Sequence, residues 1–265
     1  LNTIWASFMQ DGSVSWLYSA ERMTELPLGL IGVAIGTVIL PSLSARHAEQ
    51  DQAKFRSMID WAARIIVLVG IPASIALFML STPIIQALFQ RGEFTVEDTH
   101  MTALALQCMS AGVISFMLIK VFAPGFYAQQ DTKTPVRVGL MAVAANAILN
   151  VVFIGFFKLI DWHAEHMALA LASSGSALVN AGMLYFYLHK RNIYRFGTHW
   201  KKLAMQFTIA NLTMIAALWY GLTWYQGDIS QWLRIAEVVG LCVVGVVAYA
   251  VGLLATGFRP RHLRA

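Results

Sequence analysis

Residues Val14–Leu43 read VSWLYSAERMTELPLGLIGVAIGTVILPSL. The stretch is apolar and spaced by glycines, and it exceeds the roughly 20 residues that a helix needs to cross a bilayer. Its first half nevertheless carries Glu21, Arg22 and Glu25. An ionisable group at such depth costs roughly 2.5–3.5 kcal/mol even on insertion scales, so it usually faces a cavity or a partner. A basic residue flanked by acids here favours an anionic substrate, an ion pair that opens and closes, or both.

The composition of the whole chain is typical of a membrane protein. Of its 265 residues, 58% are hydrophobic and 12% are charged, and the mean hydropathy is +0.61. An ordinary soluble domain has roughly 25% charged residues. We therefore predict an all-α, polytopic membrane protein. The sequence starts at Leu1 inside an apolar run, and we expect it to be the C-terminal piece of a longer protein.

Hydrophobic runs of helical length divide the chain into spans. Residues 1–9 predict the end of one span, and the short apolar piece between Ser81 and Gln90 predicts a short helix that does not cross the membrane. Seven fuller spans are predicted, at Val14–Leu43, Trp61–Leu80, Met101–Ala123, Pro135–Phe157, Met167–Leu188, Leu203–Tyr225 and Leu233–Gly257.

Two helix starts carry recognisable capping signals. Thr95 is followed three residues later by Asp98, which predicts a capping box. Thr134 stands directly before Pro135, which predicts a cap residue followed by proline at the first helical position.

The loops between the spans alternate in charge. Loops 44–57, 124–137 and 189–202 are basic, as is the C-terminal tail, whereas the intervening loops are mostly acidic. The basic residues are Arg46, Lys54, Arg56, Lys133, Arg137, Lys190, Arg191, Arg195, Lys201, Lys202, Arg259, Arg261 and Arg264; the acids are Asp11, Glu93, Glu97, Asp98, Asp161, Glu165 and Asp228. Short basic loops stay in the cytoplasm, so the C-terminus is predicted to be cytoplasmic and loops 10–13, 82–98, 158–166 and 226–232 to face outward.

The net charge of +5 would suggest a nucleic-acid partner in a soluble protein. Here the basic loops lie where anionic lipid headgroups would meet them, so membrane lipids are the expected partner and nucleic acid is not. Cys108 and Cys242 lie in separate apolar runs, which disfavours a disulfide or a metal site. His163 and His166 fall in an outward loop, where a metal role is disfavoured. The sequence also lacks the motifs of hydrolases and ATPases, so a transporter is predicted rather than an enzyme.

The charged cluster in the first full span defines the main candidate site. Glu21 and Glu25 share a helix face because they are four residues apart. The same face continues through Gly29, Gly32 and Gly36, where missing side chains either admit another helix or widen a cavity. Pro27 frees the carbonyl of Met23 and allows a bend below the charges. Arg22 is predicted to receive a phosphate-like anion held or released by the two acids; the alternative is an internal ion pair that only positions helices.

Other polar residues inside the spans are weaker candidates. Lys120 either contacts a cavity near the cytoplasmic end of its span or extends to the headgroups. Asn146, Asn150 and Ser174 could supply oxygen ligands to a monovalent cation. Polar groups at this spacing more often hydrogen-bond one helix to another, and no carboxylate accompanies them.

Several motifs resemble one known family. Ala20–Pro27 (AERMTELP) and Gly36–Ser44 (GTVILPSLS) look like the eighth transmembrane helix of the MurJ (MviN) lipid II flippases. Ala123–Val136 (APGFYAQQDTKTPV) is similar to that family's cytoplasmic loop between helices ten and eleven, and Phe89–Thr95 (FQRGEFT) is similar to a family turn. The resemblance covers essentially the whole chain in order, so the chain would hold the end of helix seven and helices eight to fourteen.

The resemblance implies a fold and a division of the chain. Residues 1–188 would form the C-terminal lobe of a multidrug/oligosaccharidyl-lipid/polysaccharide exporter-type fold. Residues 189–265 would form two extra C-terminal helices, which line a groove for a lipid tail, and a cytoplasmic tail. The N-terminal lobe of the same protein would be the missing partner.

The resemblance also implies a function in the bacterial inner membrane. Lipid II, the undecaprenyl-diphosphate-linked peptidoglycan precursor, would move from the inner to the outer leaflet by alternating access. Arg22 matches the family arginine proposed to meet the diphosphate, with Glu21 as its acidic neighbour and Glu25 one turn on. The resemblance implies no cofactor. It implies that transport is coupled to a monovalent cation or to the membrane potential. The sodium ligands of some members include carboxylates, whereas amides and hydroxyls stand in the matching helices here.

Two other functions compete with lipid II transport. One is a flippase for another lipid-linked glycan, or a drug exporter of the same superfamily. The other is a non-transporting membrane scaffold subunit, in which Arg22 would be replaceable by any residue that keeps the helix folded. The Glu21–Arg22 pair and the two extra C-terminal helices favour lipid II.

Overall fold

The computed structural model describes residues 2–160, 164–227 and 229–258, and every regular element in these ranges is helical. The helices are α1 (Asn2–Ala6), α2 (Ser13–Pro27), a π-helical segment (Leu28–Val33), α3 (Ala34–Ala48), α4 (Gln52–Met79), α5 (Ser81–Phe89), α6 (Val96–Tyr127), α7 (Lys133–Leu159), α8 (His166–Lys190), α9 (His199–Leu222) and α10 (Gln231–Ala255). Asp161, His163, Asp228 and the three tail arginines named above lie outside the described residues.

The predicted class, an all-α polytopic membrane protein, is confirmed. Within the described ranges seven helices are long and apolar enough to cross a membrane, with α2, the π segment and α3 counted as one helix. Each contains most of one predicted span, and the piece predicted to be a short helix is α5. The helices extend beyond several predicted span edges because apolarity marks only the part that lies in lipid.

One predicted helix start is confirmed in detail, and the other is wrong. Thr95 and Asp98 form the predicted capping box at the start of α6. The helix α7, however, begins at Lys133, two residues before Pro135. Asp131 supplies the cap there: its carboxylate accepts from the amide of Thr134 at 3.0 Å and from the Thr134 hydroxyl at 2.7 Å. Proline therefore sits within the first turn, where the missing amide hydrogen costs little.

The helix α6 is the central element of the bundle. It packs against α2, α4 and α8, and buried side chains run along its length. Gly112 makes the closest approach: a β-carbon placed there would lie 2.8 Å from the Cα of Ser174 on α8. The largest apolar core combines α3, α4, α6 and α8, and its fully buried members include Ile39, Ile59, Ile66, Met117 and Leu184.

The last two spans form a pair, α9 and α10, that packs on α4 and α5. Leu80, Met214, Leu218 and Leu241 make the buried contact. The hydroxyl of Tyr249 also donates to the carbonyl of Leu68 at 2.7 Å. The assignment of residues 189–265 to a separate functional unit stays a prediction.

Side-chain contacts join the loops at each end of the bundle. At one end, Arg56 of α4 donates to the carbonyl of Asn192 at 2.7 Å, which ties two basic loops together. At the other end, the indole of Trp16 donates to Asp98 at 2.7 Å. We refer to these as the basic end and the acidic end. Each contact thus joins chain segments that flank loops of the same predicted charge.

Candidate functional site

A cavity of about 690 Å³ lies among α1, α2, α6, α7 and α8. Its volume falls within the range of roughly 300–1,000 Å³ found for small-molecule sites. The wall is mixed, with apolar side chains between polar ones. The polar residues that line it are Asn2, Thr3, Tyr18, Glu21, Lys120, Asn146, Ser173, Ser176 and Asn180. We call this the central cavity.

The structure separates the three predicted residues of α2. Glu21 lines the central cavity. Arg22 is exposed beside it and donates from Nε to the hydroxyl of Tyr18 at 3.1 Å, with a second contact from Nη2 to the same oxygen. The guanidinium carbon also lies 5.0 Å from the centroid of the Tyr18 ring. Tyr18, which sequence reasoning did not single out, thus links Arg22 to the cavity wall. Glu25 is exposed and does not line the cavity.

Arg22 therefore turns toward a neutral phenol rather than toward an acid. Among the described residues, no ion pair joins Arg22 to Glu21 or Glu25. The interpretation of these residues as an internal ion pair that only positions helices finds no contact to support it. A phenol contact leaves the full charge of the guanidinium available to an anion.

The helix changes its hydrogen-bonding pattern directly below these charges. Pro27 ends α2, and residues Leu28–Val33 continue as a π-helix before α3 begins. Proline cannot donate to the carbonyl one turn earlier, so the regular ladder is interrupted there. Short π-helical segments occur frequently at functional sites. The local irregularity that the sequence predicted at Pro27 is thus a widened turn within one continuous helix.

The glycine stripe faces Lys120 of α6. A β-carbon at Gly32 would lie 3.7 Å from Cγ of Lys120, and one at Gly36 would lie 3.8 Å from its carbonyl oxygen. Gly29 has no described atom within 4 Å of that position. Gly32 and Gly36 therefore allow α6 to pack closely. Lys120 passes beside these two glycines, and it is exposed and lines the central cavity.

Asparagines from two helices meet at the floor of the cavity. Asn150, which is fully buried, donates to Oδ1 of Asn2 at 3.0 Å and to Oδ1 of Asn146 at 3.3 Å. Asn2 in turn donates to the hydroxyl of Ser173 at 2.6 Å. We call these four residues the amide cluster. The buried Oδ1 of Asn150 accepts no hydrogen bond from any described residue.

Ser174 does not join the amide cluster. Its hydroxyl donates instead to the carbonyl of Cys108 on α6 at 2.7 Å. Successive residues of a helix point about 100° apart, so Ser173 faces α1 while Ser174 faces α6. The structure therefore does not bring Ser174 to Asn146 and Asn150, and its neighbour Ser173 lies beside them through Asn2.

A second group of charges, not predicted from the sequence, lies at the basic end. Oδ1 of Asp60 accepts from the hydroxyl of Tyr194 at 2.8 Å and from the indole of Trp200 at 2.7 Å. Its Oδ2 accepts from Nε of Arg64 and from Nε2 of His199, each at 3.0 Å. We call these five residues the Asp60 cluster. Asp60 and Arg64 stand four residues apart, a spacing that signals a helical ion pair.

The Asp60 cluster is a structural junction. It fixes the start of α9 and the preceding loop onto α4. Asp60 is 9% exposed and Tyr194 is 2% exposed. Burial, with the neighbouring carboxylate, raises the pKa of the Tyr194 phenol well above its ordinary range, so the hydroxyl stays protonated and donates. The buried carboxylate is thus held by donors on every side.

Comparison with known proteins finds similarity to one protein family along nearly the whole chain. The model of the family described as "Lipid II flippase MurJ" matches residues 1–239. The probable lipid II flippase MurJ of Vibrio cholerae is 41% identical over an alignment of length 264 that covers 98% of this chain and 49% of that protein. The probable lipid II flippase MurJ of Haemophilus influenzae is 40% identical over an alignment of length 275 that covers 99% of this chain and 52% of that protein.

A solved structure shows the same fold. The structure titled "Lipid II flippase MurJ, inward closed conformation" superposes with a TM-score of 0.76 at 24% identity, and the match covers 98% of this chain and 50% of that one. The chain spans about half the length of the curated relatives it matches.

Proposed function

The chain belongs to the lipid II flippase MurJ family, and from that premise we propose that the complete protein is a transporter that moves lipid II across the bacterial inner membrane. The precursor would pass from the inner to the outer leaflet by alternating access. The observation that carries the proposal is the central cavity, which lies among spanning helices and has charged groups on and beside its wall. A cavity of this kind suits a polar headgroup that must cross an apolar layer.

Arg22 is the residue that we expect to meet the diphosphate. A guanidinium group binds phosphate oxygens through paired, charge-assisted hydrogen bonds. In this structure Arg22 donates to the neutral phenol of Tyr18, which an anion can displace. Lys120 would add a second positive charge at the cavity wall. Glu21 and Glu25 would oppose the anion's charge and so favour its release.

The charge of the loops supports one orientation. The basic end would face the cytoplasm, which places the C-terminus inside and sends α2 from the outer surface inward. Half of a two-lobed transporter cannot alternate by itself, because access changes when one lobe moves against the other. The N-terminal lobe of the same protein would therefore complete the cavity, and membrane lipids would contact the remaining apolar faces.

We propose that the membrane potential or a monovalent cation drives transport. The amide cluster contains only neutral groups, so a cation held there would depend on amide and hydroxyl oxygens such as the unpaired Oδ1 of Asn150. Charges such as Arg22 and Lys120 would respond to the potential directly, by about 2.3 kcal/mol per charge moved across 100 mV. A flipping assay in which the membrane potential is collapsed at a constant cation gradient, and the cation gradient at a constant potential, separates these two sources of energy.

The decisive experiment is complementation with the complete gene after depletion of the host's own lipid II flippase. The wild type should restore growth, Arg22→Ala should abolish it at normal protein level, and Arg22→Lys should restore it partially because lysine cannot bind in a fork. Arg46→Ala is the matched control, since Arg46 lies at the basic end and pairs with Glu49 at 2.8 Å; it should support full growth.

Two outcomes would contradict the proposal. Full rescue by Arg22→Ala would rule out the diphosphate role of Arg22 and favour a scaffold. Failure of the wild type to rescue, with folded protein present in the membrane, would indicate a different lipid-linked glycan or a drug as substrate.

A further inference from the structure

A second cavity, of about 520 Å³, opens at the basic end where α4 begins and the α8–α9 loop passes over it. Arg56 and Arg195 stand at its rim, and Asp60, Tyr194 and His199 line it below. We call it the arginine pocket. It shares no lining residue with the central cavity, and its volume also falls within the range of small-ligand sites.

The two arginines converge on a single residue and keep most of their donors. Nη2 of Arg56 donates to the backbone carbonyl of Asn192 at 2.7 Å, and Nη2 of Arg195 donates to its side-chain oxygen at 2.5 Å. Each guanidinium carries five donors in a fixed plane. Both side chains are exposed, so further donors of each can reach a ligand in the pocket.

The carboxylate of Asp60 does not cancel these two charges. Arg64 already pairs with it at 3.0 Å, and its two oxygens accept from Tyr194, Trp200 and His199 as well. The pocket therefore retains the positive charges of Arg56 and Arg195. An anion entering it would meet donors at the rim and a fully bonded carboxylate at the wall.

The N-terminus of α9 adds to the positive potential. The helix begins at His199 and is 24 residues long, and Gly197 just before it also borders the pocket. The amides of Trp200 and Lys201 already donate to the carbonyls of Gly197 and Thr198, so the helix end contributes through its partial positive charge. Anions bind favourably at such a position when other donors fix them there.

Aromatic residues beside the pocket indicate its depth in the membrane. The ring of Phe196 lies 4.6 Å from that of Tyr185 and 4.8 Å from that of Trp200. Tyrosine and tryptophan gather at the membrane–water interface, where lipid phosphates also lie. The pocket thus opens at the level of the headgroups rather than in bulk water.

We propose that the arginine pocket binds the phosphate group of an anionic lipid headgroup. The planar forks of Arg56 and Arg195 match phosphate oxygens, and their separation from the central cavity makes this site distinct from the substrate site. A bound headgroup would join the start of α4 to the α8–α9 loop. The proposal does not depend on which substrate the central cavity takes.

Native mass spectrometry of the full chain with phosphatidylglycerol tests this assignment. The double variant R56A/R195A should bind phosphatidylglycerol about tenfold more weakly than the wild type. The matched control is K201A/K202A, which removes the same two charges from exposed positions on α9 outside the pocket. It should weaken binding by less than about twofold, since exposed charges act diffusely.

Two further arms keep the test decisive. R56K/R195K preserves charge and should bind with intermediate affinity, so it decides the matter if the alanine variant does not fold. Inorganic phosphate at millimolar concentration should not displace the lipid, because it lacks the acyl chains. Equal losses in R56A/R195A and K201A/K202A would overturn the proposal, as would arginine-dependent binding of inorganic phosphate without retention of phosphatidylglycerol.

Discussion

Asp60 and Arg22 are both charged residues of membrane-spanning helices, but their surroundings are opposite. Asp60 is buried and bonded by four side chains from α4, α9 and the α8–α9 loop. Arg22 is exposed beside a cavity and contacts a single phenol. A buried charge whose hydrogen-bonding capacity is filled is costly to disrupt, whereas an exposed charge with spare capacity is free to bind a ligand.

Two glycines in other helix faces show a similar contrast between filled and open space. Gly112 lies in a tight contact between α6 and α8, with no room for a methyl group. Gly139 lines the central cavity, and a β-carbon there would meet no described atom within 4 Å. Packed and open regions therefore predict different responses to the same type of substitution.

The largest expected effect is that of Asp60→Ala. Removing the carboxylate breaks the buried Asp60–Arg64 ion pair and strips the buried Tyr194 hydroxyl of its acceptor, which should destabilise the protein by about 3–5 kcal/mol. Thermal unfolding in detergent, followed by tryptophan fluorescence, measures the loss. Arg22→Ala should leave the unfolding temperature unchanged in the same assay.

The control for this prediction is Asp51→Ala in the same helix. Asp51 caps α4 by accepting from the amide of Lys54 at 2.9 Å, so its removal should cost only about 1 kcal/mol. If Asp60→Ala unfolded at the wild-type temperature, the proposed difference between the structural role of Asp60 and the ligand-binding role of Arg22 would be contradicted.

A smaller effect is expected from Gly112→Ala. The new methyl group would overlap the backbone of Ser174 and force α6 and α8 apart, which should cost roughly 1–3 kcal/mol. Gly139→Ala should instead be neutral or stabilising by up to about 1 kcal/mol, since alanine favours the helix and space is open. Unfolding temperatures of the two variants compare them directly; the same loss in both would contradict the assignment of packed and open faces.

The smallest effect concerns the loop between α6 and α7. The hydroxyl of Thr134, together with the guanidinium of Arg191, lowers the pKa of Asp131 from its ordinary value of 3.8 to about 2. A carboxylate with a lowered folded-state pKa stabilises the fold fully above pH 3.8 and loses that contribution as the pH falls through about 2. The unfolding temperature should therefore fall between pH 4 and pH 2.

Asp131→Asn tests the origin of that slope. The variant should be slightly less stable than the wild type at pH 7 and should show a flatter profile between pH 4 and pH 2, because the amide does not titrate. Glu93→Gln, an exposed acid in the α5–α6 loop, should keep the wild-type profile. An unchanged slope in Asp131→Asn would show that another group causes it.

Much of the fold was predictable because its signals are local. A run of apolar residues fixes a span by itself, and Thr95 and Asp98 define a helix start within four residues. The start of α7 was missed because two cap candidates, Asp131 and Thr134, stand close together. Only the geometry of the turn selects the residue that accepts the amide.

The site was less predictable because contacts between distant residues define it. The energetic cost of charge in lipid singled out Glu21 and Arg22, and the structure puts them on or beside the cavity. The roles of the predicted site residues stay predictions. Asp60 was overlooked since its predicted span began at Trp61, which placed the acid in a loop. Its partner Tyr194 is 134 residues away along the chain.

The sequence by itself determined the class of protein, the number and order of its spans and the alternation of loop charge, because each depends on transfer energies that neighbouring residues share. Tertiary structure alone decided which polar groups distant in the sequence meet: Asn2 with Ser173, Asp60 with Tyr194 and Trp200. A hydrogen bond between helices depends on how each helix is rotated about its axis. That rotation is set by the packing of all its neighbours together, and it decides that Ser173 contacts α1 while Ser174 contacts α6.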